Sequence, residues 1–255
     1  MTDKRMLALS NEILRGVVGS TAHGTAIEGQ DDRDEMGVCM EPPEYVCGLS
    51  LFEHYIYRDK PEGVRSGPGD LDLTIYSLRK FCRLAAQGNP SVLVLLWLPE
   101  HIIKTELGRG LLDIREAFVS REAGWRFLGY LTGQKKSLTG ERNQKVNRPE
   151  LVEKYGYDTK FAMHALRLGF EGIEYLTQRR LTLPVAEPNL STLRAVRAGK
   201  LSLAETLALI ESTEIELRAL VERCLIAADT DTINKFMVQA SYSHWDRARE
   251  MDGVG

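Results

Sequence analysis

The apolar residues of this chain change their spacing near residue 77, and one kind of secondary structure does not accommodate both patterns. Upstream, short apolar runs such as Gly16-Val17-Val18 and Met36-Gly37-Val38-Cys39-Met40 are separated by Gly, Pro and Asp. That texture predicts short strands joined by turns. Glu41-Pro42-Pro43-Glu44 ends one of these runs, because a proline pair cannot donate to a sheet ladder. Leu71-Asp72-Leu73-Thr74-Ile75-Tyr76 alternates with a period of two, which places Asp72, Thr74 and Tyr76 on one face of a strand. The stretch from Pro61-Glu62-Gly63 to Gly67-Pro68-Gly69 reads as a connection between elements.

Downstream, helical spacing takes over. Ser77 is placed to cap a helix carrying Phe81, Leu84 and Ala85, which stops near Gly88-Asn89-Pro90. Val92, Leu95 and Leu96 mark a second helix. Ser202-Leu203-Ala204-Glu205 has the capping-box pattern and opens a helix to about Ala227, with Leu203, Leu207, Ile210 and Leu217 on its apolar face. Residues 231 to 250 are predicted helical as well. The expected fold is α+β: a small mixed sheet with helices over residues 1–110, then an all-helical region over residues 111–255.

A chain of 255 residues is long enough for one large domain or two small ones. Its 43% hydrophobic and 27% charged residues are ordinary for a water-soluble globular protein. The longest apolar stretch, Val92 to Leu98, is too short for a membrane span, and Met1 to Met6 lacks the apolar segment of a secretion signal. Cys39, Cys47, Cys82 and Cys224 show neither CxxC nor zinc spacing, so thiols in a reducing cytoplasm are expected. The net charge of −3 excludes a uniformly basic surface. One stretch departs from it: Lys135, Lys136, Arg142, Lys145 and Arg148 stand against the single acid Glu141. A solvated basic face and a phosphate-contacting segment would look alike here.

The chemistry is concentrated in Gly19-Ser20, an eleven-residue gap, and Asp32-Arg33-Asp34. Two aspartates two apart on a strand share a face, and their carboxylates can share one or two cations. Mg²⁺ takes a few carboxylates plus substrate phosphates, which leaves room for a nucleotide. A Gly-Ser turn offers close backbone approach and a hydroxyl to a phosphate oxygen. Two ions would then stabilise the attacking and leaving oxygens of phosphoryl transfer. The third carboxylate is Asp70 or Asp72. Asp72 is preferred because it lies inside an apolar alternation, where a charge needs a counter-ion. An acidic surface turn at Asp31-Asp32-Arg33-Asp34-Glu35 is the competing reading. Arg33 is expected on the opposite face, and Trp97 and Trp125 are expected in the core.

A second polar pattern lies between residues 158 and 180. Lys160, His164, Arg167, Glu171 and Glu174 form one helical stripe, while Phe161, Met163, Leu166, Leu168, Phe170, Ile173 and Leu176 fill most other positions. The stripe faces water, partner charges or a wet cavity; Arg167 pairing with Glu171 or Glu174 along the helix is the plain alternative.

Gly19-Ser20-Thr21-Ala22-His23-Gly24-Thr25, followed by Asp32-Arg33-Asp34-Glu35-Met36-Gly37-Val38, resembles the DNA polymerase β-like nucleotidyltransferase superfamily. Within it the chain is most similar to a bacterial and phage group of nucleotidyltransferases that includes an RNA-ligase-associated member. Tyr76-Ser77-Leu78-Arg79-Lys80-Phe81, Gly88-Asn89-Pro90 and Tyr157-Asp158-Thr159-Lys160 with His164 and Arg167 extend the likeness over residues 15 to 185. The resemblance implies transfer of NMP from an NTP to an acceptor, with release of pyrophosphate. It implies two Mg²⁺ ions, with Mn²⁺ as a substitute, on Asp32, Asp34 and Asp72. Residues 1–110 become the catalytic head and residues 111–255 a helical domain closing the nucleotide cleft. Gly19, Ser20, Lys145, Lys160, His164 and Arg167 become substrate-binding candidates, and RNA a candidate acceptor through residues 135–148. A catalytically silent nucleotide-binding or antitoxin-like interaction module is the alternative function; the intact Gly-Ser and both aspartates argue against it.

Overall fold

The structure, a computed structural model, describes residues 3–27, 29, 31–61, 64, 67–141 and 148–251. Five strands among them form one sheet: β1 (Glu12–Val17), β2 (Arg33–Cys39), β3 (His54–Arg58), β4 (Leu71–Ser77) and β5 (Ile103–Lys104), in the order β3-β4-β2-β1-β5. β2 and β4 run parallel and every other neighbouring pair antiparallel, so the sheet is mixed. β2 and β4 stand where the sequence predicts strands, whereas β1 begins at Glu12 and only its last two residues fall in the Gly16-Val17-Val18 run. β3 and β5 were not foreseen: β3 is an edge strand, mostly exposed, and β5 has two residues.

Strand alternation gives the central pair two chemically different faces. One carries Cys39, Leu73 and Ile75, which pack with Phe52 and with Leu7 and Ala8 of helix α1 (Lys4–Ser10). The other carries Asp34, Met36, Val38, Asp72, Thr74 and Tyr76. Two single-turn helices, α2 (Gly19–Ala22) and α3 (Pro43–Val46), follow β1 and β2.

β4 runs straight into α4 (Leu78–Ala86). Ser77 Oγ accepts the Lys80 N–H at 3.1 Å, as a cap should. The buried Glu41 carboxylate adds a second cap by accepting the Leu78 N–H at 3.1 Å. α5 (Pro90–Trp97) is apolar almost throughout and buried from Val92 to Leu96. α6 (Glu106–Asp113) and a 3₁₀ turn at Arg115–Phe118 follow.

The remaining helices are α7 (Arg121–Leu138), α8 (Pro149–Tyr155), α9 (Thr159–Gln178), α10 (Asn189–Arg197), α11 (Leu203–Arg223) and α12 (Thr230–Met251). Ser202 and Glu205 form the expected capping box at the start of α11. The fold is therefore α+β with a helical C-terminal region. By its contacts the chain divides into two compact units: Met1–Ala86, Ser91–Phe118 and Ala228–Gly255 form one, and Gln87–Pro90 with Val119–Ala227 form the other. The first holds the sheet and α12, whose Trp245 donates its indole N–H to the Glu41 carbonyl at 2.8 Å. The second is helical, with Phe127 and Leu131 of α7, Leu166 and Tyr175 of α9, and Ile210, Leu217 and Val221 of α11 fully buried. No helix of the described residues is long and apolar enough to cross a membrane.

Candidate functional site

The parallel pairing of β2 with β4 sets Asp34 directly beside Asp72. Neighbours in register share a face, so both carboxylates leave the sheet on the same side. Asp32, just ahead of β2, joins them: one carboxylate oxygen from each of Asp32, Asp34 and Asp72 lies within 4.8 Å of the other two. All three residues are half-buried. Three like charges this close repel, and a cation among them offsets the repulsion.

Asp70 is used differently. Its Oδ2 accepts the Gly67 N–H at 2.8 Å, its Oδ1 lies 3.6 Å from Lys60 Nζ, and its carbonyl accepts the Arg33 N–H at 2.9 Å. It closes the turn into β4 and is not one of the three grouped acids.

Gly19 sits against this cluster. Its φ is +63°, a left-handed conformation that side chains disfavour, and an added Cβ would come within 2.0 Å of Asp34 Oδ2. The Val18 N–H donates to the Asp34 carbonyl at 2.9 Å, pinning the turn to β2. After α2 the chain folds back: the Ser20 carbonyl accepts the N–H groups of Thr25 and Ala26 at 3.0 and 3.1 Å. Ser20 is half-buried, and His23 and Thr25 further along the same segment are buried. The register of β3 on β4 brings in a residue that the sequence did not single out. Arg58 pairs with Asp72 and so stands on the carboxylate face. No sequence signal pointed to it, because β3 itself went unseen.

The opposite face of the same strands is neutralised within the chain. Arg33 Nε donates to Glu35 Oε1 at 2.7 Å. Arg15 Nε donates to Glu12 Oε1 at 2.7 Å, its Nη2 contacts Glu12 Oε2, and its Nη1 lies 3.5 Å from Glu35 Oε2. The hydrogen bond to Glu12, followed by the pull of both glutamates, holds the Arg15 guanidinium above its usual range despite burial. Arg33 thus lies where the sequence put it, away from the aspartates.

In the second unit, Asp158 caps α9 by accepting the N–H groups of Lys160 and Phe161 at 3.0 and 3.1 Å. Lys160, His164 and Arg167 lie half-buried along one stripe of the helix. Arg167 Nη1 donates to Glu171 Oε2 at 2.7 Å, and Glu171 is fully buried. Glu174 accepts the Thr182 N–H at 3.1 Å. The acidic half of the stripe is therefore tied up along and next to the helix.

The basic stretch is also partly spoken for. Lys135 Nζ lies 3.3 Å from Glu211 and 3.2 Å from Glu214 of α11. Arg148 Nη1 lies 3.1 Å from Asp158 Oδ2, with its guanidinium over the Phe161 ring. Lys145 and Arg142 lie outside the described residues. Of the two tryptophans expected in the core, Trp97 is largely buried under Arg115, but Trp125 is 41% exposed. The buried face of α7 is set by Ala123, Gly124, Phe127, Leu128 and Leu131, which turns Trp125 outward.

No curated protein matches this chain. Among solved structures, a nucleotidyltransferase-like protein from Exiguobacterium sibiricum 255-15 is similar over 91% of this chain and 74% of its own, at 12% identity and a TM-score of 0.32. Residues 8–241 match the sequence model of the RNA repair pathway DNA polymerase beta family, and this chain, a polymerase β-like nucleotidyltransferase, belongs to that family.

Proposed function

We propose that this protein transfers a nucleoside monophosphate from an NTP to an RNA acceptor, using divalent cations held by Asp32, Asp34 and Asp72. The observation that carries the reading is the grouping of three carboxylate oxygens within 4.8 Å of one another against the Gly19 turn. An all-oxygen, all-anionic donor set suits a hard cation such as Mg²⁺, and Mn²⁺ accepts the same ligands. One oxygen from each of Asp32, Asp34 and Asp72 would be close enough to hold a shared divalent cation. When bound, such ions neutralise phosphate charge and stabilise the attacking and leaving oxygens.

The chain's own residues would do the rest. Gly19 keeps the space over Asp34 clear, so that the carboxylate need not swing away from its partners. Ser20, in the turn beside it, would hydrogen-bond a phosphate oxygen. Lys145, Lys160, His164 and Arg167 are the other substrate-binding residues in this reading, each supplying positive charge or a donor. The family's own description, an RNA repair pathway, supports RNA as the acceptor.

The test is incubation with each α-labelled NTP and Mg²⁺, with and without RNA or cell protein. Label entering RNA, and lost in Asp32→Ala, is the expected result. Label entering RNA equally with Asp32→Ala would overturn the metal assignment, and label entering only protein would overturn the acceptor.

A further inference from the structure

The outward face of α7 has no role in the reading above, yet it is built unlike an ordinary solvated helix surface. Trp125 and Tyr130 present large aromatic rings there, 41% and 40% exposed. Between and beside them runs an open groove of about 570 Å³ lined by Trp125, Arg126, Gly129, Tyr130, Gly133 and Gln134. Gly129 has no local justification: a Cβ added to it would meet nothing within 4 Å, and it is not among the positive-φ glycines. Glycine within a helix weakens it relative to alanine, so an empty notch here makes sense if something outside the chain comes down onto the backbone.

The charges beside the groove are mostly basic, with Glu122 the one exposed acid of α7. The Arg121 guanidinium lies 6.0 Å from the Trp125 ring centroid, and Arg126 and Lys136 are exposed. Rings set between guanidinium groups, over a floor that lets backbone approach, match flat bases strung on a phosphate chain. A protein partner would draw on the same Trp, Tyr and Arg side chains; the excess of positive charge beside them is what favours a phosphate chain. A duplex keeps its bases stacked on each other and unavailable to protein rings. From Trp125 to Gly133 the helix rises about 12 Å, the length of a few nucleotides at most.

We infer that this face of α7 is a stacking groove for unpaired nucleotides of the RNA acceptor, with Trp125 and Tyr130 as platforms, Gly129 as the notch and Arg126 as a phosphate contact. The inference rests on the RNA-acceptor reading but is tested without any transfer step. Binding of a fluorescein-labelled single-stranded RNA to the full chain is followed by anisotropy across a range of salt, with the same strand in a duplex as the comparison.

Trp125→Ala is expected to weaken single-strand binding by about ten- to a hundredfold, the range for loss of one stacked base, with the salt slope unchanged. Trp125→Phe should restore most of it. Arg126→Ala should weaken binding and lower the slope of log K against log salt by about 0.7, the value for one phosphate contact on a single strand. Gly129→Leu should block the groove; unchanged thermal unfolding would show that all these surface variants fold. Wild-type affinity in Trp125→Ala, or duplex bound as tightly as single strand, would overturn the groove. If the wild-type chain does not bind RNA but transfers label to another acceptor in an Asp32-dependent way, the groove fails and the transfer chemistry stands. If RNA binds as expected but no NTP transfers label, the groove stands and the transfer reading fails.

Discussion

The two faces of β2 hold their acidic residues by opposite means. On one face Arg33 and Glu35 pair with each other, and Arg15 joins Glu35 to Glu12, so that two deeply buried glutamates are answered by two guanidinium groups. On the other, one residue along, Asp34 is set beside Asp72 and Asp32 in a half-buried group of carboxylates. The sheet, the strand and the kind of side chain are common to both. What differs is that the first face satisfies its charges within the chain, as a folded core must. The second gathers three half-buried aspartates beside the Gly19 turn, with Arg58 of β3 on the same face. In the proposed reading the contrast separates an acid kept for stability from an acid kept for chemistry.

Substitutions on the two faces should therefore fail in different assays. In the proposed reading Asp34→Ala or Asp72→Ala removes a cation ligand and has the largest effect: NMP transfer should fall by about a thousandfold or more, equivalent to several kcal/mol of lost transition-state stabilisation. Thermal unfolding of each variant, measured alongside, separates lost chemistry from lost stability. A variant retaining a tenth of the transfer rate would remove that residue from the cation site.

On the other face the order reverses. Arg15→Ala leaves Glu12 and Glu35, whose side chains are 3% and 6% exposed, short of a counter-charge. Breaking a buried pair of this kind costs about 3 to 5 kcal/mol of stability, read by urea unfolding, while transfer per folded molecule changes little. A loss below about 1 kcal/mol, the level of an exposed pair, would mean that water reaches these glutamates and that the two faces are less different than their geometry indicates.

A smaller effect tests the boundary of the cluster. Asp70→Asn keeps an acceptor for the Gly67 N–H and loses only a partly exposed ion pair with Lys60. Its stability cost should stay within about 1 kcal/mol, and its transfer rate near that of the wild type. A loss as deep as that of Asp72→Ala would place Asp70 among the cation ligands.

Much of this arrangement could be read before the structure, for reasons that individual residues make clear. Asp32 and Asp34 announce a shared face because a strand alternates regardless of context. Asp70 and Asp72 do not separate on that argument, since both satisfy it. Their difference comes from the turn into β4, where Asp70 accepts the Gly67 N–H and faces Lys60, and from the register that sets Asp72 beside Asp34. β3 escaped notice because an exposed edge strand buries too little to impose a pattern, and Arg58 was hidden with it. The basic stretch looked more open than it is, because Lys135 finds its acids on α11, 76 and 79 residues away, and sequence spacing carries no sign of them. Trp125 lies outside the core because the neighbours that α7 turns inward, and not aromatic character, decide which face is buried.

Glu41 tests whether a carboxylate can be seated in a third way, with neither an arginine nor a cation. It is buried at the N-terminus of α4, where its Oε2 accepts the Leu78 N–H. Burial pushes its pKa above the usual carboxylate range; hydrogen bonds from Ser77 and from the backbone of α4 oppose the rise without cancelling it. A folded-state pKa above the unfolded value means that the native protein holds this proton more tightly than the unfolded chain does. The stability that this provides is fully present below the unfolded pKa, near 4.5, and is lost as pH rises through the folded pKa. Glu41→Gln keeps an oxygen for the Leu78 N–H and never ionises. Its stability relative to the wild type should therefore grow as pH is raised from about 4 through the shifted pKa and level off above it, as read by urea midpoints across pH. A gain that shrank with rising pH would show that the helix N-terminus and its donors outweigh burial. Glu41 would then belong with the acids that the fold stabilises in their charged form.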